Sequence, residues 1–81
     1  MGLTMTRREA DGVTLVDIAG RLDSSVSGQV MDQLNDIVTT GVTRLVINLA
    51  HASYISSAGL RSILVAAKLL KSARGEMRLC Q

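Results

Sequence analysis

The chain has 81 residues, 47% of them hydrophobic and 20% charged, with a formal net charge of +2. That length holds one small domain, in which only about 60% of the unfolded surface is buried on folding. Tyr54 is the sole aromatic residue, and the only basic groupings (Arg7-Arg8, then Lys68, Lys71, Arg74 and Arg78) are dispersed, so neither the base-stacking platforms nor the clustered charge of a nucleic-acid binder are present.

Leu3 to Arg8 alternates weakly, as an edge strand does. Glu9-Ala10-Asp11-Gly12 supplies a turn, with Gly12 free to take positive φ. Val13 to Gly20 is β-branched and partly alternating, so the two runs predict an antiparallel hairpin. Gly20 to Ser25 breaks that pattern. From there Val26, Val30, Leu34, Ile37 and Val38 recur at helical spacing. Asp23 or Ser24 is the expected N-cap, and Gly41 the residue that ends the helix near Thr40. Gly28 inside the helix costs about 1 kcal/mol relative to alanine and suggests a packing or contact reason.

Arg44 to Leu49 is the most strand-like segment, apolar on both faces as a central strand covered on both sides would be. His51 follows as a polar loop residue. The next helix spans Leu60 to Lys71, with Leu60, Ile63, Leu64, Ala67 and Leu70 as its core stripe. That stripe leaves Arg61, Val65, Lys68, Leu69 and Ser72 outside, two aliphatics flanked by cations, which suits a docking face. Gly75 is the expected C-cap glycine, and Glu76 to Cys80 a last strand with a buried thiol. The element order is β-β-α-β-α-β, a small α/β mixed sheet with parallel strand–helix–strand units and an antiparallel edge.

Tyr54 to Arg61 joins the central strand to the second helix. Ser56 and Ser57 lie at the helix start, where the first N–H groups lack partners and the dipole favours negative charge. One of them is the expected cap, worth about 1 kcal/mol. An exposed hydroxyl there also accepts a phosphate at little cost to the fold, and sets a dianion against any partner packed on that helix.

Other chemistries lack their residues. Ser57 has Gly59 after it but Ile55 where a nucleophile elbow needs glycine, and His51 precedes the serine, so a hydrolase is disfavoured. One histidine and one cysteine supply no metal-ligand spacing, and no phosphate-binding loop occurs. No catalytic residue, metal or cofactor is therefore expected. Cys80 cannot form an intrachain disulfide. No apolar run approaches the ~18 residues that cross a bilayer and no signal-peptide core is present, so a cytoplasmic protein without membrane insertion is expected.

Four motifs in order resemble the STAS domain of bacterial anti-sigma factor antagonists: Gly20-Arg21-Leu22-Asp23; Leu45-Val46-Ile47-Asn48-Leu49; Tyr54-Ile55-Ser56-Ser57-Ala58-Gly59-Leu60; and Gly75-Glu76-Met77. The resemblance implies a single STAS-like domain over 1–81, C-terminally truncated because family members continue with a further strand region and a helix. It also implies partner switching in transcription regulation: the unphosphorylated protein binds an anti-sigma factor that is a serine kinase, phosphorylation releases it, and a PP2C-type phosphatase resets the switch.

The family's acceptor position falls on Ser57. Ser56 stands where the family keeps an acid, which leaves Ser56 as a rival acceptor, and Ala58 replaces a Ser/Thr. Asp23, at the start of the first helix, matches a family acid near the switch. The expected contact set is Asp23, Ser24, Ser56, Ser57, Ala58, Gly59, Arg61, Val65, Lys68 and Leu69. An uncovered last strand suggests self-association. The alternative within the family is a scaffold that does not switch, a subunit of a lipid- or anion-transport system.

Overall fold

The computed structural model describes residues 3–80. Its elements are β1 (Thr4–Ala10), β2 (Val13–Leu22), α1 (Ser27–Thr39), β3 (Arg44–Ile55), α2 (Ser57–Ser72) and β4 (Glu76–Cys80). They build one sheet in the order β1-β2-β3-β4, with β1 antiparallel to β2 and the remaining pairs parallel. The expected β-β-α-β-α-β mixed sheet is what forms.

The hairpin turn is tighter than Glu9 to Gly12. Glu9 pairs with Thr14 and Ala10 with Val13, which leaves a two-residue turn. Asp11 (φ 53°) and Gly12 (φ 79°) both take the left-handed conformation such turns require.

The two crossovers step in one direction across the sheet, so right-handed connections place both helices on one face. Val16, Ile18 and Leu22 of β2 and Leu45, Ile47 and Leu49 of β3 bury that face. They pack against Val30, Leu34, Ile37 and Val38 of α1 and Ile63, Ala66 and Leu70 of α2. The apolar core is aliphatic, as the near absence of aromatics demands, and Thr14 and Ser62 are buried beside it. Among the described residues no element covers the other face, where Val13, Leu15, Val46 and Asn48 are only half-buried. The expectation of a strand apolar and covered on both sides is therefore corrected: among the described residues β3 is sheltered on one face only, and its open face carries Arg44 and Asn48 beside Val46.

Both parallel strands run beyond their expected ends. The β2–β3 register slips between Asp17 and Ala19 and again between Gly20 and Arg21, so β3 carries extra residues at two bulges. The Asn48 side chain serves the first: its Oδ1 accepts the Ala50 N–H (3.0 Å) and its Nδ2 donates to Asp17 (2.8 Å). Gly20 takes φ 99° at the second. His51 consequently sits inside β3 with its side chain exposed, and is not a loop residue.

Helix ends also differ from expectation. The N-cap of α1 is Val26, without a side-chain cap; Asp23 and Ser24 lie one turn earlier. Gly41 ends α1 as expected, at φ 95°. A Cβ on Gly28 would meet nothing within 4 Å, so no packing among the described residues requires that glycine. At the end of α2, Arg74 (φ 64°) takes the left-handed position assigned to Gly75. Gly75 is needed for space instead, since a Cβ there would lie 2.6 Å from Leu70 and 2.8 Å from the Thr43 carbonyl. Cys80 is exposed, not buried, because β4 is an edge strand.

Candidate functional site

The second bulge carries the end of β3 past β2 and sets the start of α2 against the β2 exit. Leu22 is the hinge of this arrangement. Its carbonyl accepts the Ser56 N–H (2.9 Å) and the Ser56 hydroxyl (3.3 Å). Gly59 closes onto the same residue: a Cβ there would lie 2.4 Å from the Leu22 carbonyl oxygen and 2.7 Å from Leu22 Cγ. Only glycine lets helix and strand approach so closely. Gly59 is therefore buried. Of the contact set read from the sequence, it supports the site from beneath and presents nothing to a partner.

The two serines have different environments. Ser56 is the N-cap of α2, its Oγ accepting the Gly59 N–H at 3.0 Å. With its own hydroxyl and N–H both turned to Leu22, it is half-buried and fully engaged. Ser57 is the first residue of α2, exposed, and among the described residues its hydroxyl has no hydrogen-bond partner. The first turn of α2 contains no acidic residue of its own to occupy the positive end of the helix dipole. The Ser57 hydroxyl is open to modification, whereas a phosphate on Ser56 would remove the hydroxyl's donation to the Leu22 carbonyl and crowd the cap it provides for the Gly59 N–H.

Asp23 lies one residue past the hinge. Its Oδ1 accepts from the Ser25 hydroxyl (2.6 Å) and the Ser25 N–H (3.0 Å), closing the turn before α1. Arg21 stands 3.7 Å from its other oxygen and lies over the Tyr54 ring, 4.4 Å from the centroid. The Ser25 hydroxyl, with lesser help from the Ser25 N–H and Arg21, holds the Asp23 carboxyl below the usual carboxylate range. A fixed negative charge and an exposed Ser24 thus flank the hinge that anchors the serine turn.

The face of α2 is rotated from the expected stripe. Leu60 and Leu64 are 40% and 54% exposed, and Gly59, Ser62, Ile63, Ala66 and Leu70 are the buried positions. The small residues Ser62 and Ala66 allow this rotation by letting α2 lie close. The Ser62 hydroxyl satisfies itself within the helix by donating to the Gly59 carbonyl at 2.7 Å. Arg61, Lys68 and Leu69 are exposed as expected, while Val65 is half-buried and Ala58 partly covered. The outer surface of α2 is therefore richer in apolar residues than the sequence implied, with Arg61 and Lys68 at its middle, Leu60 and Leu64 on one side of them and Leu69 on the other. Sequence reasoning missed Leu60 and Leu64 because a leucine pair at helical spacing also reads as core.

Among the described residues, no helix is long and apolar enough to cross a membrane, and no group of three His, Cys, Asp or Glu side chains is placed to hold a metal ion.

The chain was compared with known families, sequences and structures. The STAS domain matches residues 4–81. BtrV of Bordetella bronchiseptica, assigned as an anti-sigma factor antagonist, is 35% identical over 79 residues, which cover 98% of this chain and 68% of that protein. The crystal structure of an anti-sigma factor antagonist from Mycobacterium paratuberculosis superposes with a TM-score of 0.87 at 21% identity, covering 99% of this chain and 68% of that one. SpoIIAA, an anti-sigma factor antagonist solved unphosphorylated, matches at a TM-score of 0.78 and 19% identity over 96% of this chain and 71% of its own. Its phosphorylated form, described as a Bacillus cell fate determinant, matches at 0.74 and 17% over 94% and 68%. These three structural matches share the fold alone, whereas the domain match and the BtrV identity extend over nearly the whole sequence. On that ground the chain belongs to the STAS-domain family.

Proposed function

We propose that this protein is an anti-sigma factor antagonist that works by partner switching, with Ser57 as the phosphorylated residue. The observation that carries the choice of serine is the division of labour at the head of α2: Ser56 is committed as N-cap and hinge contact, and Ser57 is exposed with a free hydroxyl. BtrV and SpoIIAA supply the class of function, and a solved phosphorylated SpoIIAA supports a phosphate-dependent member of the same fold.

In this reading the unmodified protein presents Asp23, Ser24, Ser57, Ala58 and the outer surface of α2 to the anti-sigma factor. Leu60, Leu64 and Leu69 supply apolar contact on either side of Arg61 and Lys68, with Val65 half-buried beside Leu69. That partner is also the kinase. Phosphate on Ser57 adds a charge approaching −2 at the edge of the contact. Desolvating it opposite the partner's phosphoryl-handling site, with Asp23 close by, opposes rebinding until a PP2C-type phosphatase removes it. The protein itself performs no chemical step. The outer edge of β4, with Leu79 46% exposed beside it, supports self-association as a secondary property.

The test is titration calorimetry against the cognate anti-sigma factor. Ser57→Ala is expected to bind like the wild type, and Ser57→Asp at least about tenfold more weakly, the scale of a charge buried without a partner at an interface. Equal binding of all three proteins would contradict the switch and favour the scaffold alternative.

A further inference from the structure

The uncovered face of the sheet carries its own charge pattern. Alternate residues put Arg8 of β1, Asp17 and Arg21 of β2, Arg44 and Asn48 of β3, and Glu76 and Arg78 of β4 on that side. Most of these charges are matched. Asp17 takes Arg8 through two contacts (2.8 and 3.0 Å) together with Asn48, and Arg21 faces Asp23. The corner at the start of β3 differs. There Glu76 is shared between Arg44 and Arg78, each at 3.9 Å, longer than a direct hydrogen bond.

Two guanidinium forks therefore divide one carboxylate, keep their donors free, and leave one positive charge in excess. Both are well exposed, with side chains 62% and 75% accessible. They flank a shallow concavity whose floor is Val13, Val46 and the Leu45 backbone strand, continued by Leu15 in the next row. An apolar floor beside paired, under-neutralised arginines is complementary to an aliphatic side chain neighbouring a carboxylate, which arginine binds in bidentate fashion.

We propose that this corner is a docking site for an acidic amphipathic segment of a partner protein. One carboxylate of the segment seats between Arg44 and Arg78, and an adjacent aliphatic side chain lies on Val13, Leu15 and Val46. The site stands at the opposite end of β3 from Ser56, so it engages its partner independently of the serine turn and of the switch proposed above.

The test is an NMR titration of the isotope-labelled protein with an acetylated helix-forming peptide whose leucines, one turn apart, are flanked by glutamates. A control peptide has every glutamate replaced by glutamine. Shift changes are expected at Val13, Leu15, Arg44, Val46, Glu76 and Arg78, with the control binding about tenfold more weakly, the scale of losing a charge-assisted bidentate contact. Arg44→Ala combined with Arg78→Ala is expected to lose binding to a similar extent. Glu76→Gln is expected to tighten it, because the competing carboxylate is gone; a merely structural ion pair gives no such gain. Ser57→Asp leaves binding unchanged. Equal binding of the two peptides, shifts confined to α2, weaker binding by Glu76→Gln, or concentration-dependent shifts at these six residues without peptide would each overturn the proposal. The last result would mean that a second copy of the chain covers the face.

Discussion

The two faces of the same sheet are built from neighbouring residues yet obey different rules. Toward the helices, Ile18, Ile47 and Leu45 are sealed in an aliphatic core, and the approach is close enough that Gly59 and Gly75 tolerate no side chain. Toward solvent, one residue away in each strand, Asp17, Asn48, Arg44 and Glu76 form spaced polar contacts over half-buried valines and leucines. Stability resides on the covered side, and the exposed chemistry is free to serve recognition. The same division passes between the adjacent serines, since Ser56 is bound into the covered side through Leu22 and Ser57 is not.

Substitution on adjacent residues of β3 gives the sharpest contrast. Ile47→Ala is expected to cost about 2–5 kcal/mol, the usual penalty for truncating a fully buried aliphatic. Val46→Ala, half-buried on the other face, is expected to cost under about 1 kcal/mol. In a domain of this size each kcal/mol moves the melting midpoint by roughly 4–8 °C, so calorimetry separates them. Similar losses at both positions would mean the open face is covered in solution.

Gly59→Ala is expected to rank next. Its Cβ would collide with the Leu22 backbone, and overpacking of this kind costs about 1–3 kcal/mol. Because the hinge also sets the serine turn, the melting loss should be accompanied by weaker binding to the anti-sigma factor. Ser56→Ala follows at about 1 kcal/mol for the lost cap, while Ser57→Ala should stay within about 0.5 kcal/mol of the wild type. Equal losses for the two serines would erase the distinction between them.

The smallest effect tests the open face through pH. The hydrogen bond from Asn48, then Arg8, holds the Asp17 carboxyl below its ordinary value of 3.8. A depressed folded value contributes stability that is complete above the ordinary value and is lost as pH falls through the lowered one. Melting midpoints should therefore be flat with respect to this group near neutrality and fall in acid below about pH 4, and Asp17→Asn should shrink that acid-side fall. An unchanged fall would assign acid sensitivity to other carboxylates.

The architecture was legible because its signals are periodic: the alternation of β2, the spacing of Val30, Leu34, Ile37 and Val38, and the run of β3. The four motifs likewise located the serine turn. What escaped was decided by tertiary contact. Leu60 and Leu64 are as apolar as Ile63, and only the closeness allowed by Gly59, Ser62 and Ala66 turns them outward. Gly75 reads as a cap, but space against Leu70 is its constraint, and Arg74 supplies the left-handed turn. The single-sided cover of β3 was hidden because a half-buried face floored by Leu15 and Val46 looks apolar in sequence. Nor could sequence decide between Ser56 and Ser57; that choice depends on the Leu22 carbonyl, brought from 34 positions away.

With Ser56 committed to the Leu22 carbonyl, Ser57 is the hydroxyl expected to be modified. The most direct measurement incubates wild type, Ser57→Ala and Ser56→Ala with the cognate kinase and ATP, and locates phosphate by fragmentation mass spectrometry. One phosphate is expected on Ser57 in the wild type, none in Ser57→Ala, and phosphorylation is expected to be retained on Ser57 in Ser56→Ala. Phosphate on Ser56 in the wild type, or in Ser57→Ala, would contradict it.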